Sequence, residues 1–541
     1  MTSSKRHSLV TTVAEVSCAH DAKSMIPPSP ILIASVESRS LWTTSITRKR
    51  DVSPWGSVRE SLATVYRMEA HRLKGFTMPI PLPIIKFFIR TGIAQRIPAV
   101  RALVPEPSYL RYYSDRILMA PNEPIRDINN YLSRATPDCV DLSLGAPFED
   151  SLKPEVVPCD ELFAGSGYPP ALGLMELREA VASKLAHENG IVVDRADEVA
   201  ITNGVSQAIH VVFDTFVNPG DKVVLADPAF LVYSLTAQYH RARVAWVPSW
   251  LENGYTRLDM PRLSRAMRGA KLVVLNTPCN PTGGVLEAET IERVLWLART
   301  HDVLILSDEV YERFLYDAWH VSIGGLPGAR DRTMTVNSFS KSHAMAGCRV
   351  GYLAANRYLM RPMMVHQFIA TPFVSVASQR LALRALREPV TRSRHVLDEY
   401  DARRYWLHRE LCEMGLPCDR PAGAFYFWIP IRQFGVSSLE FANGLLASQA
   451  VLVMPGESFG PSGPDHIRLS YAATQSRLEE GCRRLRRFVE LLRNVSPPAS
   501  SESGRIVRFD SAKNKSYSPH FHQSLGGQAE VSENPSTSVP E

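Results

Sequence analysis

No two cysteines of this 541-residue chain stand in a C-x-x-C pair. All eight (Cys18, Cys139, Cys159, Cys279, Cys348, Cys412, Cys418 and Cys482) are scattered, which argues against a structural zinc site and fits free thiols in a reducing cytosol. Apolar runs of about 18 residues are missing too, so no transmembrane span is expected. Internal repeats are absent, which excludes solenoids and propellers. Charge of one sign is in small excess. The net charge is +6, and residues 1–110 hold 15 Lys/Arg against 7 Asp/Glu, so the remainder is slightly acidic. The main body therefore offers no surface suited to nucleic acid.

What is present is an ordinary soluble composition, 45% hydrophobic and 21% charged, in a chain long enough for two or three domains. Residues 1–111 read as a basic, partly disordered extension. A transit peptide, or an over-extended start with Met68 or Met78 as the true beginning, are the other readings of its first part. Within it, 79–107 places Ile84, Ile85, Phe87, Phe88, Ile89, Ile93 and Ile97 between Lys86, Arg90, Arg96 and Arg101. That is a basic amphipathic helix, packed on its own protein or a dimer partner, or lying on a membrane. Beyond Pro497 the Ser/Asn/Gly/Pro-rich tail, 497–541, reads as disordered.

Between these ends the chain reads as α/β. Strand-like runs recur at 199–203, 222–226, 242–247, 271–276, 303–307, 333–336 and 350–354, with amphipathic helices at 174–187 and 206–217. Such alternation predicts a largely parallel sheet covered on both faces. After about Thr371 long helices take over, with strands expected at 424–429 and 450–454 in a smaller domain. The expected division is 112–150 contributing to the small domain, 151–370 as the large domain and 371–496 as the small domain.

The chemistry gathers around Ser338-Phe339-Ser340-Lys341, which follows a strand-like run and precedes Arg349 by eight positions. A lysine walled in by neighbours loses hydration, and its pKa falls from about 10.4, freeing the amine as a nucleophile. Two serines and a fixed guanidinium beside it suit a phosphate dianion. Together they describe a Schiff-base lysine with a phosphate anchor, the arrangement that pyridoxal phosphate needs. Asp308 ends another strand-like run, where ligands of parallel sheets bind, with Tyr311 three positions on. A carboxylate about 4 Å from a pyridine nitrogen attracts its proton by about 4 kcal/mol at an effective dielectric near 20. Taken alone, Asp308 also reads as a helix N-cap and Tyr311 as a packing aromatic. Asn280 lies in the stiff turn Asn-Pro-Thr-Gly, Val205 and Ser206 open a helix whose amides suit a phosphate, and Phe230 could stack on a ring or serve the core. Arg468 is a charge inside an apolar strand, answered by a substrate carboxylate or by a structural ion pair.

In order along the chain, "LSLGAP", "GYPPALGLMELREA", "ITNGVSQA", "DPAF", "NTPCNPTGG", "SDEVYERF", "SFSKSHAMAGCRVGY" and "IRLSYA" resemble the class I/II aminotransferases of fold type I over residues 112–495. The resemblance implies a large domain with a mostly parallel seven-stranded sheet plus a smaller α+β domain, and pyridoxal 5'-phosphate as cofactor. It implies Lys341 as the Schiff-base lysine and proton shuttle, Asp308 on the ring nitrogen, and Asn280 and Tyr311 on the ring oxygen. Ser338, Ser340, Arg349 and the amides of Val205 and Ser206 would hold the phosphate, with Tyr168 reaching across from a partner subunit and Phe230 stacked on the ring. Arg468, helped by Gly145 and Asn280, would clamp the α-carboxylate. Homodimers sharing active sites are implied, and a cytoplasmic location is expected. Cys279 and Cys348 depart from the family pattern at positions without chemistry.

The expected activity is ping-pong transamination between an L-amino acid and a 2-oxo acid. The alternatives are a lyase or decarboxylase on the same scaffold, and a transcription regulator with such an effector domain. The regulator needs an N-terminal winged helix, and residues 1–106 lack its pattern.

Overall fold

The computed structural model describes residues 131–147, 158, 162, 167–387 and 391–495. The expected basic extension, its amphipathic stretch 79–107 and the tail 497–541 lie outside the described residues. The first described strand is β1 (Val140–Asp141). Helix α1 (Met175–Asn189) buries Leu177, Val181 and Leu185, the i, i+4 stripe legible in its sequence, and Gly190 ends it at φ +67°.

The large sheet then assembles in chain order. Strand β2 (Val199–Thr202) leads through Gly204 into α2 (Val205–Phe216), and β3 (Lys222–Asp227) leads into α3 (Leu231–Tyr239). Strand β4 (Arg243–Glu252) folds back on β5 (Tyr255–Leu258). Helix α4 (Met260–Met267) precedes β6 (Leu272–Asn276), and α5 (Ala288–His301) precedes β7 (Leu304–Asp308). Strand β8 (Thr333–Ser338) runs directly into the one-turn helix α6 (Phe339–Ser342), and β9 (Gly351–Ala354) follows.

The spatial order is β2-β9-β8-β7-β6-β3-β4-β5. Only β9 and the edge strand β5 run against the others. Seven strands were expected; the eighth is β5, because β4 runs on past Val247 and turns at Asn253 and Gly254, both at positive φ. Alternation along the inner strands explains the burial of both faces. Val223, Leu225, Val274 and Leu306 join one core, while Val224, Val273, Leu275 and Ile305 join the other. The carboxyl ends of β2, β3, β6, β7 and β8 therefore share one rim, and Asp227, Asn276, Asp308 and Ser338 stand on it.

Long helices follow: α7 (Arg357–Ala370), α8 (Val376–Arg387) and α9 (Thr391–Glu413). A second, antiparallel sheet comprises β10 (Tyr426–Pro430), β12 (Met454–Pro455) and β13 (His466–Ser470), packed with α10 (Ser438–Gln449) and α11 (Gln475–Val495). Strand β13 lies between β10 and β12, so the two strands expected at 424–429 and 450–454 are not neighbours. The two-residue β11 (Val451–Leu452) instead takes up β1 in parallel register. This pairing brings Ser143 and Gly145, just beyond β1, within reach of Arg468 and Lys341.

Candidate active site

Lys341 sits on α6, started by the Ser338 side chain, whose oxygen accepts the Ser340 N–H at 3.2 Å. So short a helix, fixed to the end of β8, gives the lysine little freedom. Its Nζ donates to the Gly145 carbonyl at 2.5 Å and lies 6.0 Å from the centre of the Tyr311 ring. Burial, with Arg468 and Arg349 adding repulsion, lowers the amine's pKa to about 8, against the opposing pull of Asp308.

Asp308 ends β7 and is buried. Its Oδ2 accepts the Tyr233 hydroxyl at 2.6 Å and its Oδ1 the Val310 N–H at 3.3 Å. Burial raises its carboxyl to about 6; the two donors and Lys341 act in the other direction. Tyr311, a turn further on, shares a 2.9 Å hydrogen bond with the Tyr426 hydroxyl, and burial raises its pKa well above the ordinary tyrosine range.

Arg468 projects from the middle strand of the small sheet. Its guanidinium donates to Asn280 Oδ1 at 2.8 Å and to the Ser143 carbonyl at 2.6 Å, while its buried Nε has no hydrogen-bond partner. The group lies over the rings of Tyr426 (4.4 Å) and Phe459 (5.1 Å). Tyr426 is its diagonal neighbour, since β10 pairs Tyr426 with Ser470 and Trp428 with Arg468. Among the described residues Arg468 forms no ion pair. A buried guanidinium held only by neutral groups calls for an anion. Asn280 is set by its backbone N–H, which donates to the Asn276 side chain at 2.8 Å.

A second anion-favouring place lies where β2 enters α2. No side chain caps this helix, and its first residues are Val205, buried, and Ser206, exposed. Gly204 takes φ +75° and ψ 171°, and a Cβ there would stand 2.6 Å from the Arg349 guanidinium. Arg349 itself has φ +53° and donates to the Ala346 carbonyl at 3.1 Å. Helix-end amides and a guanidinium thus meet at one point, beside the end of β8: Gly351, two residues past Arg349, pairs with both Thr202 and Ser338.

Phe230 caps α3 and packs edge-on against Tyr233 at 5.7 Å. Tyr168 is the outlier among the expected residues. It is 89% exposed and stacks on Phe373 at 4.9 Å. Sequence reading missed three contributors: Tyr233, Tyr426 and the Ser143 carbonyl. Tyr233 carried one usable signal, its place three residues after Phe230 on the helix that follows "DPAF".

Comparison with known proteins gives the family. The profile of the family "Aminotransferase class I and II" matches residues 163–485. An aspartate aminotransferase of Pyrococcus abyssi is 36% identical over 385 residues, which is 70% of this chain and 98% of the relative. The aromatic-amino-acid aminotransferase 2 of Thermococcus litoralis is 35% identical, with 70% and 98% covered. Among solved structures, the aspartate aminotransferase of Thermus thermophilus with maleate aligns at TM-score 0.62 and 31% identity, covering 70% of this chain and 99% of its own. The α/β architecture is that of fold type I. A lysine at the end of a parallel strand, a buried carboxylate and a buried arginine thus fall on a sequence matched along most of its relatives' length, and the chain belongs to the class I and II aminotransferases.

Proposed function

We propose that pyridoxal 5'-phosphate occupies the rim between α2, Asp308 and Lys341, and that an L-amino acid and a 2-oxo acid exchange an amino group there in ping-pong order. The residues present fit this group. The uncapped start of α2 with Arg349 suits a phosphate dianion, Gly204 leaves room that a Cβ would fill, and Lys341 is the weakly basic amine beside it. Bound there, the cofactor supplies an aldehyde that condenses with amines and a protonated ring that accepts the electron pair released at the substrate's α-carbon.

The chain's own residues supply the rest. Ser338, Ser340, Arg349 and the amides of Val205 and Ser206 hold the phosphate. Asp308, helped to stay ionised by the Tyr233 hydroxyl, the Val310 N–H and Lys341, would face the ring nitrogen. Asn280 and Tyr311 serve the ring oxygen, and Phe230 covers the ring. Lys341 Nζ takes the α-proton and later returns it, a role suited to an amine of pKa about 8. Arg468, Asn280 and the Gly145 segment orient the α-carboxylate.

The observation that carries this reading is the buried Arg468, held by neutral oxygens and with Nε unpartnered, reaching from the small sheet to Asn280 at the rim that also carries a weakly basic lysine. We further assign a homodimer, on the support of the outward-standing Tyr168, which would complete a partner's phosphate site. The large domain is assigned to 151–370, and the small domain to 371–496 with 112–150. A cytoplasmic location is supported by the described cysteines, all six of them free thiols. The test is the absorbance of the purified protein, followed by single amino acids added without an acceptor. Loss of the yellow band with release of the 2-oxo acid supports the reading. Release of ammonia with the band unchanged points to a lyase, and a protein that takes up no chromophore overturns it.

A further inference from the structure

We propose that His210, Asp214 and His240 form a binding site for a divalent transition-metal ion, Zn2+ being the best match, on the flank of α2. His210 and Asp214 are four residues apart on that helix and so share one face. His240 follows α3, and its Nε2 lies 3.2 Å from Asp214 Oδ1. One ligand atom from each of the three lies within 4.8 Å of the other two. A tetrahedral ion with bonds of about 2.0–2.1 Å holds its ligand atoms roughly 3.3 Å apart. The Asp214–His240 pair already has that spacing. His210 is exposed, so its ring closes the remaining gap by side-chain rotation and leaves the fourth position open to water.

The donor chemistry agrees. Two imidazoles and one carboxylate suit zinc and its neighbours rather than calcium or magnesium, which take oxygen ligands. The other oxygen of Asp214 is also engaged: His366 of α7 sets its Nε2 2.8 Å from Oδ2. This is the outer partner that orients a ligating carboxylate. Among the described residues, the ion pairs of Asp214 are both with imidazoles, so no lysine or arginine pairs with this carboxylate. A second cluster, Glu309, Glu312 and His320, has ligand atoms equally close. It already holds a cation, however, because the Lys184 ammonium is bonded to Glu312, while Asn189 donates to the other Glu312 oxygen and Ser307 and Ser322 donate to the two oxygens of Glu309. A bound ion on the His210 side would tie α3 to α2, the helix whose start faces Arg349.

The test uses the full-length, cofactor-loaded protein, stripped with a chelator and titrated with Co2+ at pH about 7.5. The d–d absorption of tetrahedral cobalt falls to the red of the cofactor's bands. The expected result is one cobalt per chain with such a band, displaced by one equivalent of Zn2+. His210→Ala, a surface change that leaves the cofactor spectrum and transamination intact, should abolish the band, and His366→Gln should weaken binding about 10-fold or more. The absence of a tetrahedral band would overturn the site. So would a band that survives both His210→Ala and Asp214→Asn, or a thiolate charge-transfer band placing the ion at a cysteine such as the exposed Cys412.

Discussion

Tyr233 donates its hydroxyl hydrogen to Asp308 Oδ2 at 2.6 Å, and both side chains are buried. The tyrosine thereby offsets part of the burial that raises the Asp308 carboxyl to about 6. A hydrogen bond to a charged group contributes about 1.5–3 kcal/mol, and one pKa unit is about 1.4 kcal/mol. Tyr233→Phe should therefore raise the carboxyl's pKa by roughly one to two units. Because the ionised form is the one that pairs with a protonated ring, activity should then be lost at higher pH than in the parent. The acid limb of kcat/KM is the measurement. A limb that stays in place would show that this hydrogen bond does not govern Asp308.

Lys341 should declare its environment in the cofactor-free protein. Only the neutral amine attacks an aldehyde, and burial beside Arg468 and Arg349 lowers its pKa to about 8. The rate of cofactor capture should climb with pH and level off with a midpoint near that value, not near the ordinary lysine pKa of about 10.4. Stopped-flow absorbance follows this directly. The linked stability effect has a definite sign. Between the folded pKa and the unfolded one the unfolded chain binds the extra proton, so cofactor-free stability should rise with pH from about 8 towards about 10.4. Lys341→Met should flatten that rise and abolish turnover, while leaving cofactor retained through its phosphate.

A lysine at position 468 keeps the positive charge beside Lys341 and removes the fork that would hold the substrate carboxylate. Removing one partner of a buried charge pair costs about 2–5 kcal/mol, so Arg468→Lys should lower kcat/KM for amino acids by about 30-fold or more. A primary amine without a carboxylate should react with parent and variant at similar rates in a single turnover. Equal losses for both substrates would instead mean that the variant has disturbed Lys341 or Asp308. The circular dichroism of the bound cofactor separates these two outcomes.

The large sheet was legible in the sequence because its strands are buried on both faces, and near-continuous apolar runs such as 271–276 mark that condition. The lysine, the aspartate and the arginine were legible because each interrupts or ends such a run. What stayed hidden depends on register and diagonal contact. Tyr426 reads as one more aromatic in Phe425-Tyr426-Phe427-Trp428, and only its pairing with Ser470 brings it beside Arg468. The eighth strand was hidden for a related reason, since β4 continues through Pro248, which reads as a strand end, to a turn set by backbone conformation at Asn253 and Gly254. The Ser143 carbonyl could not be found by pattern at all, because every residue has one. Tyr168 was assigned by resemblance to a partner's site, and within one chain it stands in solvent.

The phosphate end of the site gives the last prediction. Gly204 has φ +75° and ψ 171°, a region that side-chain-bearing residues enter at a cost of about 1–3 kcal/mol. An alanine there also sets its Cβ 2.6 Å from the Arg349 guanidinium, the flexible end of a long side chain that can move aside. Gly204→Ala should therefore lower thermal stability and displace Arg349 as well. Arg349→Ala removes the guanidinium without touching the glycine, so its thermal stability without cofactor should stay near the parent's. Its affinity for pyridoxal phosphate should fall by about 10- to 100-fold, the worth of a charge-assisted hydrogen bond of about 1.5–3 kcal/mol. Because the lost contact is to phosphate, the weakening should vanish when pyridoxal lacking the phosphate is used. Equal weakening for both forms would place Arg349 away from the phosphate, and the start of α2 would then have to hold it alone.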